Sequence, residues 1–125
     1  YETARRLMGP KAIIGLSVET WADVEASRDL DVDYLGVSPV FATPTKTDTK
    51  EPWGLEGLRK IKAFSRHPLV AIGGISQINA REVAEAGADC LAVVSAICSA
   101  GNPAEATARL KHAFDVALRL RDNHK

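Results

Sequence analysis

Tyr34-Leu35-Gly36-Val37-Ser38-Pro39-Val40-Phe41 runs directly into Ala42-Thr43-Pro44-Thr45-Lys46-Thr47-Asp48. The first part is apolar and strand-like, and the second is a polar loop with three threonine hydroxyls and one lysine. Hydroxyls and loop N–H groups donate hydrogen bonds, and lysine adds a mobile positive charge. The carboxyl end of this strand is therefore suited to hold phosphate. Two later stretches, Ile72-Gly73-Gly74-Ile75 and Val93-Val94-Ser95-Ala96, offer the same chemistry at their own strand ends.

Outward from that stretch the pattern alternates short apolar runs with amphipathic helices. Ala12 to Val18 is continuously apolar and rich in β-branched residues, as a strand covered on both faces requires. Thr20 is suited to cap a helix reaching about Leu30. Tyr34 to Val40 forms the second strand, and a helix runs from about Leu55 to Phe64. Leu69 to Ile72 is the third strand; Ser76 is placed to cap a helix from Ile78 to Ala86, which Gly87 stops. Cys90 to Val94 is the fourth strand, and Pro103 opens a final helix to about Leu120. Thr3 to Met8 has the character of a helix end.

Strands alternating with helices give an α/β protein with a parallel sheet. Four units fit either a small open sheet or half of a (β/α)8 TIM barrel. Loop chemistry decides between them, because barrel function resides at the carboxyl ends of the strands and the last two turns commonly bind phosphate. Ser17, Thr43 to Lys46, Gly73-Gly74 and Ser95 all fall at such ends. Four strands do not close a barrel whose tilt and shear suit eight. Residues 1–125 are thus expected to be the C-terminal half of one longer barrel domain, the alternative being two copies that pair.

Composition narrows the function classes. With 46% hydrophobic and 26% charged residues the chain is that of an ordinary globular domain. Sixteen basic residues balance sixteen acidic ones, which argues against a nucleic-acid partner. No apolar run is long enough to span a membrane, and the expected location is cytoplasmic. Cys90 and Cys98 lack the clustered partners of a zinc site and are expected to be buried, reduced thiols. His67, His112 and His124 read as surface or loop residues, and Lys62 and Arg121 as solvated helix faces. Trp21 is expected to pack against a neighbouring side chain.

The segments Ala12 to Ser17, Gly36 to Lys46, Ala71 to Ile75 and Ala88 to Ile97, in this order and spacing, resemble the thiamine-phosphate synthase family. The resemblance covers essentially the whole chain and places it on strands five to eight of that family's barrel. It implies a transferase of thiamine biosynthesis. Hydroxymethylpyrimidine diphosphate would ionise with magnesium on its diphosphate, and a thiazole phosphate would capture the pyrimidinyl cation. By position, Ser17 and Lys46 would contact the pyrimidine diphosphate, as catalytic and substrate-binding residues. Thr43, Pro44 and Thr45 would line the thiazole phosphate pocket, while Gly74, Val94 and Ser95 would bind its phosphate.

Elementary chemistry is consistent with each role. Lys46 would stabilise charge that develops only as the diphosphate leaves. Gly74 would let phosphate approach backbone N–H groups without a Cβ in the way. Ser95 opens a turn where a following helix N-terminus favours an anion.

No magnesium ligand is expected within the chain. Asp31 and Asp33 precede a strand, at the wrong end, and Asp48 is a single carboxylate. The Mg2+ ligands are expected in the missing N-terminal half, and these residues alone are expected to lack full activity. The expected partners are thus small-molecule substrates, with no nucleic acid or membrane, and either the other half-barrel or a second copy. Two other functions remain open: a thiazole tautomerase-like barrel, which needs a general base, and a catalytically inactive half-barrel.

Overall fold

The computed structural model describes residues 1–41, 52–93, 97 and 101–122. In chain order these form α1 (Glu2–Met8), β1 (Gly15–Val18), α2 (Trp21–Ser27), β2 (Tyr34–Val37), α3 (Gly54–Phe64), β3 (Leu69–Ile72), α4 (Ala80–Ala86), β4 (Cys90–Ala92) and α5 (Pro103–Asp122). The strands make one parallel sheet in the order β1-β2-β3-β4. In its register Ser17 lies opposite Gly36, Val37 opposite Ala71, and Ile72 opposite Ala92. Among the described residues no helix is long and apolar enough to cross a membrane.

Strand side chains alternate between two faces. Val18, Leu35, Val37, Leu69 and Ala71 are fully buried and pack with Val24, Leu58, Ile61, Val83, Phe114 and Ala117 from the helices. The intervening positions Gly15, Ser17, Tyr34 and Cys90 are exposed, and Val70, Ile72 and Ala92 are only partly covered. The core therefore lies on one side of the sheet and the other side is open. Cys90 corrects the expectation of a buried thiol, since its position in the alternation points it to the open side. Cys98 and His124 lie outside the described residues.

Every expected element between Thr3 and Leu120 is present, with altered bounds that have local causes. β1 begins at Gly15, because side chains hold the backbone before it. Arg5 Nη1 donates to the Ala12 carbonyl at 2.8 Å, and Ile14 N donates to the Asp33 carboxylate at 2.6 Å. β2 stops at Val37 because Pro39 has no N–H to donate. Thr20 does cap α2, in a reciprocal box with Asp23. That helix ends at Ser27, whose hydroxyl turns back to the Val24 carbonyl at 2.7 Å. α4 starts at Ala80, with Asn79 as its N-cap residue. Ser76 organises the turn before it, receiving the Ile78 N–H on its hydroxyl at 3.3 Å. Trp21 packs against Phe64, with ring centroids 5.3 Å apart.

His67 lies in the loop before β3, one of the two placements expected for it, but it is not on the surface. It is only 8% exposed, and its Nε2 lies 3.0 Å from the Ser27 carbonyl, tying the start of β3 to the end of α2.

Lys62 and Arg121 also depart from the solvated faces expected of them. Both converge on Asp89, at the amino end of β4. Lys62 Nζ lies 3.0 Å and Arg121 Nη2 3.2 Å from its carboxylate, which also accepts Leu69 N–H at 2.9 Å. Arg121 further donates to the Ala84 and Ala88 carbonyls. This knot fastens α3, α5 and β3 beneath β4. Burial pushes the Asp89 carboxyl up, but the Leu69 N–H and the Lys62 ammonium outweigh it and hold it below its ordinary 3.8.

A depressed carboxyl contributes stability above its unfolded pKa and loses it as pH falls through the folded one. Asp89→Asn is expected to cost about 1–2 kcal/mol at neutral pH, since it leaves two partly buried cations without their counter-charge. The Tm gap to wild type should persist down to 3.8 and close only in stronger acid. Thermal melts from neutral to acid pH check this, and a gap independent of pH would reject the charged knot.

Candidate active site at the carboxyl ends of the strands

Parallel pairing in chain order brings the four carboxyl ends to one edge of the sheet. Ser17, one residue before the end of β1, is exposed on the open face. A methyl built on its ladder partner Gly36 would lie 3.8 Å from Ser17 Oγ and 3.4 Å from Ile72 Cδ1. Ser17 and Ile72 therefore converge over a strand that contributes no side chain between them. The result is a hydroxyl beside an apolar surface at the sheet's mouth.

The turn after β3 is built from Gly73 and Gly74, at φ +105° and +69°. Both values lie in the region that side chains disfavour. Gly74 is exposed, and its carbonyl accepts from Asn79 Nδ2 at 3.0 Å. Asn79 Oδ1 in turn accepts the Ser76 N–H at 2.9 Å. One asparagine thus shapes the glycine turn and leads into α4. Sequence reading expected Ser76 as the N-cap of this helix; Asn79 takes that place, and its side-chain role in the glycine turn was missed.

Ser17 and Gly74 stand where the sequence put them, on the exposed carboxyl ends of β1 and β3. Thr43, Pro44, Thr45, Lys46, Val94 and Ser95 lie outside the described residues. Their flanks are described. Phe41 N donates to the Gly73 carbonyl at 3.1 Å, and Trp53 N donates to the Pro39 carbonyl at 2.8 Å. Residues on both sides of 42–51 are therefore fastened beside the glycine turn. Val93 follows β4, the direct neighbour of β3.

An open cleft of about 210 Å³ lies between the β3–α4 turn and the first turns of α5, lined by Gln77, Asn102, Glu105, Ala106 and Arg109. Arg109 pairs with Glu105, and Asn102 Oδ1 caps α5 through the Glu105 N–H.

Against this geometry, the family described as thiamine monophosphate synthase matches residues 1–97. The chain belongs to that family. The thiamine-phosphate synthase of Albidiferax ferrireducens is 62% identical over 112 residues, covering 90% of this chain and 51% of that protein. The thiamine-phosphate synthase of Leptospira biflexa is 56% identical over 115 residues, covering 89% and 55%. A solved thiamine phosphate pyrophosphorylase from Pyrococcus furiosus superposes with a TM-score of 0.83 at 40% identity, over 94% of this chain and 55% of that one. The chain spans about half the length of the curated relatives it matches.

Membership of the thiamine monophosphate synthase family and the observed sheet agree on an α/β fold with four parallel strands. Among the described residues no three His, Cys, Asp or Glu side chains are grouped to hold a metal ion. Asp33 lies at the amino end of β2, where its carboxylate accepts the Ile14 N–H and pairs with Arg5. Asp31 also precedes β2, and its carbonyl accepts from Tyr1 and Arg5. Both occupy the end of the sheet away from Ser17 and Gly74.

Proposed function

We propose that this chain supplies the C-terminal half, four βα units corresponding to strands five to eight, of a (β/α)8 barrel that makes thiamine phosphate. The observation that carries this reading is the 62% identity, across 90% of the chain, to a protein named thiamine-phosphate synthase. The open sheet face supports it, because that face is the one a closed barrel would fill. The remaining half of the barrel or a second copy would cover it, and the assembled enzyme would work in the cytoplasm on small-molecule substrates.

In this reading the bond between the pyrimidinyl methylene and its diphosphate oxygen breaks, and the electron pair leaves with pyrophosphate. The thiazole ring nitrogen then gives its lone pair to the methylene carbon, so one C–N bond replaces one C–O bond and no proton is lost. Ser17 orients the pyrimidine diphosphate through a neutral hydroxyl. Lys46 meets the charge on the departing diphosphate. Thr43, Pro44 and Thr45 line the thiazole phosphate pocket, and Gly74, Val94 and Ser95 bind its phosphate through backbone N–H groups and a hydroxyl. Magnesium would neutralise the leaving diphosphate when bound, with its ligands in the remaining half of the barrel.

Thiazole tautomerisation would need a base at a strand end. Among the described residues, His67 precedes β3 and His112 lies within α5, so neither is placed for it. The test is direct. A protein of the relatives' length, given both substrates and magnesium, should form thiamine phosphate and pyrophosphate in equal amounts. Residues 1–125 alone should form neither. Product from the shorter chain at the longer chain's rate would overturn the half-barrel reading, and isomerised thiazole without pyrophosphate would favour the tautomerase.

A further inference from the structure

The β3 turn does more than present Gly74. A Cβ on Gly73 would sit 2.9 Å from Pro39 Cα, 3.0 Å from Pro39 Cβ and 3.2 Å from Val40 N. Gly73 also has φ +105°, which an L side chain rarely adopts. The exit of β2 therefore lies backbone to backbone on the β3 turn. Two hydrogen bonds close this seam: Val40 N to the Ile72 carbonyl at 2.9 Å and Phe41 N to the Gly73 carbonyl at 3.1 Å. From the other side, Trp53 N reaches the Pro39 carbonyl at 2.8 Å and Gly54 N the Val40 carbonyl at 2.7 Å. Entry and exit of residues 42–51 are thus bound to one another and to Gly73.

We propose that Gly73 is a positioning residue: its missing side chain lets the exit of β2, Pro39 to Phe41, from which the chain runs on to Thr43–Lys46, lie against the turn that carries Gly74. This rests on the synthase reading for its catalytic consequence, though the seam itself is independent of it. One segment serves the pyrimidine diphosphate and the thiazole pocket, and the other the thiazole phosphate. Their relative placement sets the approach of ring nitrogen to methylene carbon. Gly73 touches neither substrate and acts through the two segments it lets meet.

The experiment pairs Gly73→Ala with Gly87→Ala in the full chain. Gly87 is a matched control, since it has φ +128° and a Cβ there would lie 2.6 Å from the Lys62 side chain, beside the Asp89 knot. Both variants should lower Tm. At a temperature where both remain folded, Gly73→Ala should lose kcat on the order of 100-fold, the cost of a misplacement of about 1 Å, with smaller changes in either KM. Gly87→Ala should keep wild-type kcat. Equal kcat losses in the two variants, or wild-type kcat in Gly73→Ala, would overturn the proposal.

Amide exchange supplies a readout free of activity, taken first on wild type. The Val40, Phe41, Trp53 and Gly54 N–H groups should exchange about as slowly as those of β2 and β3, and exchange at an open loop's rate would overturn the proposal even if Gly73→Ala does not fold. In a folded Gly73→Ala these four should lose protection while β1 and α2 keep theirs. Should wild type make no thiamine phosphate, the synthase reading falls and the exchange result still decides the seam.

Discussion

Lys46→Ala is expected to lower kcat on the order of 100- to 1,000-fold, the range for losing one preorganised partner of a developing anion. Ground-state binding of the pyrimidine diphosphate should weaken much less. The intact diphosphate ester already carries its charge in water, and only the departing oxygen gains charge as the C–O bond stretches. An ammonium held at that oxygen acts mainly on the transition state, so its loss falls on kcat rather than KM. Apparent affinity for thiazole phosphate should barely move. Steady-state kinetics with each substrate varied separately check this. Equal losses for both substrates would make Lys46 a general anion anchor and remove it from the leaving-group step. Lys46→Arg should recover part of kcat, since it restores charge with a different hydrogen-bonding shape.

The fold was legible because its signal is redundant. Four apolar runs, four helical patterns and the turn residues between them all specify the same alternation, so a blurred boundary does little damage. Boundaries failed where a side chain replaced a backbone partner. Asp33 and Arg5 hold the backbone of residues 12–14 from 19 and 7 residues away, and no local propensity announces such a contact. The same limit explains Lys62, Arg121 and His67. Each sits in a pattern that reads as a helix face or a loop, and each finds its partner 27 to 40 residues away. A lone charge in a sequence defaults to solvent because its counter-charge is invisible there.

The site was legible in a different way. Ser17 and Gly74 could be placed on strand ends because a parallel sheet fixes which end of a strand faces the mouth. Gly74 was recognised for its tolerance of phosphate, but Gly73 was given no role of its own. Separating them needs coordinates, since the sequence does not reveal that Pro39 crosses the turn. Cys90 was misjudged because a cysteine without clustered partners reads as a small buried hydrophobe, whatever face of its strand it occupies. These residues supply helices to one face only.

Ser95→Asp tests the remaining corner of the mouth. If Ser95 and its N–H bind the thiazole phosphate, a carboxylate there sets like charge against the dianion within hydrogen-bonding range. Such juxtaposition costs several kcal/mol when water is excluded, and about 1.4 kcal/mol already corresponds to tenfold in affinity. The apparent KM for thiazole phosphate should therefore rise by at least about 30-fold. Added salt should recover part of the loss by screening, more so the wetter the pocket. Ser95→Ala separates charge from hydrogen bonding, because it removes one neutral donor and should cost only about tenfold. The pyrimidine diphosphate KM should stay near wild type in both variants. An unchanged thiazole phosphate KM in Ser95→Asp would take Ser95 out of the pocket and leave Gly74 and Val94 as the proposed phosphate contacts.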